Sequence, residues 1–158
     1  MIEEGIGNLL EADVDGLVNP VNTVGVMGKG LALQFKHACP ANFSAYRKAC
    51  NRGEVRLGRM FVFDTARLAG PARYIINFPT KQHWKDDSRI EDIRTGLDDL
   101  LWVVTQLDIR SIAVPALGCG EGGLDWRMVR PMIEEWFAEL PDVRVVIFSP
   151  QAGRAQNE

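Results

Sequence analysis

The sequence predicts an α/β fold in which helices cover both faces of a sheet, and three observations predict it. Short apolar runs rich in Val and Ile alternate with longer runs of helical spacing. At 158 residues the chain fits one unit, large enough to bury about 68–70% of its unfolded surface without staples. Three of the apolar runs end in loops of Gly, Pro and Asn, the places where α/β sheets bind ligands.

Taken in order, Val14 to Val21 is a β-branched run that delivers a loop at Pro20 and Asn22. Gly25-Val26-Met27-Gly28-Lys29-Gly30 follows, and Leu31, Gln34, Phe35 and Ala38 then share one helical face. Pro40 opens a second helix with Phe43, Tyr46 and Cys50 on one side. Met60 to Phe63 and Tyr74 to Phe78 read as strands, the second ending in Pro79-Thr80-Lys81. Ser88 with Glu91 three residues on is a capping-box pattern, and Ile90, Ile93, Leu97, Leu100, Leu101, Val104 and Leu107 continue it as one long amphipathic helix. Ser111 to Pro115 is a further strand that opens into Gly118-Cys119-Gly120-Glu121-Gly122-Gly123. Val129, Met132, Ile133, Trp136 and Phe137 mark the last helix, Val143 to Phe148 the last strand, and 151–158 a polar tail.

Composition narrows the function. A net charge of −3 argues against a protein that coats nucleic acid by bulk charge, so any such contact must be local. No apolar run is long enough to span a bilayer. Met1-Ile2-Glu3-Glu4 has no basic region of a secretory signal, which predicts a cytoplasmic protein. Cys39, Cys50 and Cys119 form no CxxC pair, and His37 and His83 are too few and too scattered for a zinc site, so neither a disulfide nor a metal is expected.

Two glycine-rich loops that follow strands can turn backbone N–H groups towards two phosphates, which points to a diphosphate ligand. The first is not a Walker A loop: Thr23 stands where its leading Gly belongs and Gly30 where its Ser or Thr belongs. Neither loop has the GxGxxG spacing of a dinucleotide fold, the second matching only in part.

The strings VNPVNTVGVMGKGLALQF (18–35) and PALGCGEGGLDW (115–126) resemble the macrodomain family, modules that bind ADP-ribose. With NFPTKQHWK (77–85) the chain resembles the narrower branch of DNA ADP-ribosyl glycohydrolases. The resemblance implies a three-layer α/β/α sandwich with a mixed, mostly parallel six-stranded sheet over residues 1–150. The tail would then begin a linker to a further domain. It implies removal of ADP-ribose from a nucleobase, thymidine in single-stranded DNA, by an antitoxin to a DNA ADP-ribosyltransferase. It places Asn22 at the distal ribose, Gly28, Lys29 and Gly30 along the first loop, and Leu117, Gly118, Cys119, Gly120, Glu121 and Gly122 around the diphosphate.

Lys81 falls where the branch has its catalytic lysine, an amine that can trap C1″ of the sugar covalently, and the resemblance implies that Asn22 at the ribose belongs to the catalytic set with it. Two departures stand out. Gly122 occupies the position where the related human terminal ADP-ribose glycohydrolase has an acid that works with the lysine, with Glu121 beside it, and Asn8 stands where many macrodomains read adenine with an Asp. His83, Trp84 and Lys85 are candidates for contact with single-stranded DNA, although Trp84 can equally pack beneath its own loop. Cys119 reads as a loop-packing residue rather than a nucleophile based on His83. A catalyst should act without cofactor or membrane, as a monomer, on ADP-ribosylated DNA and beside a toxin. A non-catalytic ADP-ribose reader and a hydrolase of other ADP-ribose derivatives remain open as alternatives.

Overall fold

A computed structural model describes residues 1–68 and 70–150; the tail at 151–158 lies outside them. Six strands form one sheet: β1 (Ile2–Glu4), β2 (Gly16–Val21), β3 (Phe61–Asp64), β4 (Tyr74–Pro79), β5 (Ser111–Val114) and β6 (Arg144–Ile147). Four helices cover it: α1 (Gly30–Ala38), α2 (Pro40–Asn51), α3 (Ile90–Gln106) and α4 (Trp126–Phe137). The strand order is β1-β6-β5-β2-β4-β3. Only the edge strand β3 runs antiparallel, to β4, so the sheet is mixed and mostly parallel as expected.

The period of two along each strand divides the core between the faces. Val18, Ile76, Ile112 and Val145 pack under α3 and α4. Leu17, Ile75, Ala113 and Val146 pack on the other face with Phe35 and Cys39. A third cluster seats α2 through Tyr46 and Ala49 against Val21, Met27 and Val55.

The strand β1 was not marked by any apolar run, since its pattern Ile2-Glu3-Glu4 is exposed, half-buried, exposed. Its backbone holds it in place: it pairs in parallel with β6 through Ile2↔Val145 and Glu4↔Ile147. The Ser88 capping box does not form. Arg89 is the N-cap of α3 and offers no side-chain bond; Ser88 is buried, and its N–H donates to Gly122 O at 2.9 Å. The second glycine loop has taken the Ser88 N–H that Glu91 would bond in a capping box, and Ser88 Oγ is turned into the interior without a hydrogen-bond partner.

The sheet also opens a slot. The β2–β5 ladder is registered only at Gly16↔Ile112 and Leu17↔Ala113, whereas β2 follows β4 up to Val21↔Pro79. Pro20 has no N–H to donate, and beyond Leu17 the two central strands part. The glycine loops occupy the gap at their carboxyl ends.

Candidate functional site

A cleft of about 820 Å³ lies across the carboxyl ends of the parallel strands. One wall is the first loop, with Asn22, Val26, Gly28, Lys29 and Gly30; the other is the second, with Gly118, Gly120, Glu121 and Gly122. Thr80, Lys81, Trp84 and Lys85 form one end, and Gly5, Ile6, Phe148 and Ser149 the other. The loops face each other closely enough for Lys29 Nζ to stand 4.0 Å from Glu121 Oε1, both side chains largely in solvent.

Backbone geometry explains the glycines. Gly30 and Gly118 have φ of +55° and +73°, a region that side chains disfavour. A Cβ on Gly118 would come within 2.7 Å of Leu124 Cδ1. Gly122 is excluded from bearing a side chain by packing: its Cβ would stand 2.5 Å from Gly118 O and against Ser88 Oγ. Position 122 therefore has no room for an acidic side chain; Glu121 beside it points to Lys29, and Asp87 Oδ1 stands 3.7 Å from where a Cβ on Gly123 would lie. Gly122→Ala should cost about 1–3 kcal/mol from overpacking alone, with a weakened affinity for any ligand gripped by that loop. Thermal unfolding and calorimetric titration with ADP-ribose measure the two effects.

Asn22 is committed to its own loop. Its Nδ2 donates to Val26 O at 2.8 Å, and its Oδ1 accepts from Val24 N at 3.1 Å and from the buried Tyr46 hydroxyl at 2.7 Å. The side chain both shapes the first loop and borders the cleft. Burial pushes the Tyr46 hydroxyl far above its usual range, so it stays a neutral donor.

At the β4 end, Lys81 Nζ donates to Trp84 O at 3.0 Å. The first loop is stitched to this segment by Thr23 N–H on Gln82 O at 2.9 Å. Trp84 is about half exposed, at 46%, with Lys85 Nζ 5.0 Å from its ring centroid and the His83 ring tilted against it at 5.0 Å between centroids. His83 itself is occupied by the loop, its Nδ1 accepting Lys85 N–H at 3.1 Å, and it does not border the cleft.

Three other sequence candidates do not present side chains to the cleft. Leu117 is fully buried in the core, Cys119 packs against the same core cluster, and Asn8 Oδ1 caps a short 3-10 turn by accepting Leu10 N–H at 3.1 Å. Burial, and then Asp125, push the Cys119 thiol up to about 12, which removes thiolate chemistry at neutral pH. Cys119→Ala should therefore leave turnover unchanged; a loss beyond twofold in a release assay would contradict this.

Sequence reasoning missed a buried asparagine cluster behind the loops. Asn19, Asn42 and Asn77 are all fully buried. Asn77 Oδ1 accepts from Asn19 Nδ2 at 3.0 Å and from Asn42 Nδ2 at 3.2 Å, while its Nδ2 donates to Asn42 Oδ1 at 2.9 Å. Asn19 and Asn77 are register neighbours on β2 and β4; the asparagines among apolar strand residues were the available signal. Among the described residues, no three His, Cys, Asp or Glu side chains gather as a metal site would require, and no helix is long and apolar enough to cross a membrane.

A mixed sheet sandwiched by helices, with facing glycine loops at its parallel strand ends, defines the macrodomain architecture. The chain belongs to that family: the Macro domain profile matches residues 18–133. It is 56% identical over 153 residues to the DNA ADP-ribosyl glycohydrolase of Mycobacterium tuberculosis, covering 97% of this chain and 43% of that protein. It superposes on the macrodomain of Mycobacterium tuberculosis DarG with a TM-score of 0.93 at 55% identity, covering 96% of this chain and 99% of that one. Thermosipho africanus DarTG in complex with ADP-ribose matches with a TM-score of 0.85 at 34% identity, over 91% of this chain and 40% of that one. The chain thus spans less than half the length of the curated DNA ADP-ribosyl glycohydrolases it matches.

Proposed function

We propose that this domain binds ADP-ribose in the cleft and hydrolyses it from a modified nucleobase of single-stranded DNA. In this reading it reverses the action of a DNA ADP-ribosyltransferase toxin. The observation that carries the reading is Lys81, a primary amine at one end of a cleft whose two walls are glycine loops. A reader needs the loops alone, and the relatives of 56% identity are glycohydrolases.

The residues divide the work. N–H groups of the loops around Gly28–Gly30 and Gly118–Gly122 take the diphosphate, where a backbone donor costs little to organise at the moment of binding. Asn22, fixed by Tyr46, sets the first loop beside the distal ribose. Lys81, swung from Trp84 O into the cleft, supplies the amine for the sugar carbon, and Trp84 with Lys85 offers a ring and a charge to the base and strand beyond it. Glu121, or a ligand phosphate, supplies the proton transfers that an acid at position 122 would otherwise perform.

Incubating the protein with ADP-ribosylated single-stranded DNA should yield free ADP-ribose and unmodified strand, followed by chromatography. Tight binding with no release would replace this reading with that of a non-catalytic ADP-ribose module. Release from other ADP-ribose derivatives but not from DNA would move the substrate class.

A further inference from the structure

Charge is distributed unevenly in a way that net charge conceals. Between Gly16 and Gly53 there is no Asp or Glu, while Lys29, Lys36, Arg47, Lys48 and Arg52 are all cationic; the chain as a whole has 21 acids to 18 bases. This stretch builds β2, the first loop, α1 and α2. The opposite face of the sheet carries α3, with Glu91, Asp92, Asp98 and Asp99 against a single Arg94. On that same face α4 balances Arg127 and Arg130 against Glu134 and Glu135, so the α1–α2 side is basic and the α3 side acidic.

The basic face continues directly from the cleft. Arg47 Cγ lies 3.5 Å from where a Cβ on Gly25 would stand, so this side chain leans on the outer side of the first loop whose inner side borders the cleft. Arg47 and Lys48 are exposed, and among the described residues neither forms an ion pair. Between them and the cleft, Val24 and Val26 expose 44% and 40% of their surfaces. Lys36 Nζ sits 4.5 Å from the Phe43 ring centroid, extending the cationic strip from α2 onto α1.

We propose that this strip is a track for the phosphodiester backbone of a single-stranded polynucleotide, which leaves the sugar end of the cleft over Val24 and runs along α2 past Arg47 and Lys48. The proposal rests on the glycohydrolase reading for the identity of the strand. Its physical basis is separate: unpaired cations with exposed apolar side chains between them match a flexible polyanion whose bases are unstacked, whereas the acidic α3 face would repel it.

The test compares wild type with the double variant Arg47→Ala/Lys48→Ala on three probes: an unmodified fluorescent oligothymidylate, an ADP-ribosylated oligonucleotide, and an ADP-ribosylated mononucleoside. Removal of two phosphate contacts should make the slope of log K against log salt for the unmodified strand shallower by about 1.4. It should raise KM for the modified oligonucleotide roughly five- to tenfold with kcat retained, and leave mononucleoside turnover alone. Arg47→Lys/Lys48→Arg should restore the slope. An unchanged slope overturns the track, as does an equal loss on the mononucleoside, which would mean that the first loop had been distorted. If wild type releases nothing from either modified substrate, the glycohydrolase reading fails, yet the salt slope on the unmodified strand still decides whether the track exists.

Discussion

Lys81→Ala should reduce release of ADP-ribose from modified DNA by more than about 10³-fold while free ADP-ribose binds within about fivefold of wild type, since a half-buried cation still open to solvent contributes only about 0–1 kcal/mol to a bound anion. The expected chemistry is nucleophilic. The unprotonated Nζ attacks C1″, the bond from C1″ to the base breaks with its electron pair leaving on the base, and that base takes up a proton. Ring opening then gives an imine between Lys81 and the sugar, and water adds to it to release ADP-ribose and the free amine.

In the structure the amine is held on Trp84 O at 3.0 Å, so attack requires it to leave its own loop for the cleft. Lys81→Arg separates the roles: a guanidinium keeps the charge but does not deprotonate. An Arg variant as inactive as the Ala variant assigns nucleophilic attack; substantial activity with Arg would reduce Lys81 to an electrostatic anchor. Cyanoborohydride added during turnover should reduce the imine and leave wild type, but neither variant, heavier by the sugar nucleotide in a mass spectrum.

Legibility in the sequence followed the physical signal available to each part. Strands β2, β4, β5 and β6 are buried runs of Val and Ile, and their loops carry Gly, Pro and Asn, so both the strands and the convergence of their ends could be read directly. The edge strand β1 is held by backbone pairing to β6 with little apolar burial, and hydropathy has no access to that. The Ser88 cap failed for a related reason: the pattern is local, while Gly122 O, which captures its N–H, lies 34 positions away in the chain. Among site residues, glycines and the lysine were visible as types. That Leu117 and Cys119 turn inward from a loop whose neighbours line the cleft depends on side-chain direction along an irregular backbone, which has no period to read. The packing of Gly122 against Ser88 likewise appears only in three dimensions, and it excludes any side chain at that position.

The largest expected loss of stability is Asn77→Ala. Asn77 joins three elements: Asn19 on β2, Asn42 on α2, and β3 through its Nδ2 bond to Phe61 O at 3.0 Å. Truncation leaves the Nδ2 of Asn19, both ends of the Asn42 amide and a strand carbonyl short of partners in a dry interior. Each buried polar group so orphaned costs about 1–3 kcal/mol, and partial relaxation brings the total to about 3–5 kcal/mol. For a domain of this size that is a fall in Tm of roughly 8–15 °C, measurable by calorimetry.

The consequence extends to the site because α2 carries both Asn42 and Tyr46, and Tyr46 holds Asn22. A loosened α2 should therefore weaken ADP-ribose binding by more than the stability loss explains at a temperature where the variant is still folded. Tyr46→Phe provides the comparison. It keeps the ring in its apolar cluster, removes only the hydroxyl, and should reproduce the affinity loss with a smaller change in Tm. If Asn77→Ala lowered Tm but bound ADP-ribose as tightly as wild type, the cluster would be a fold anchor alone, and the route from Asn77 through α2 to the first loop would be broken.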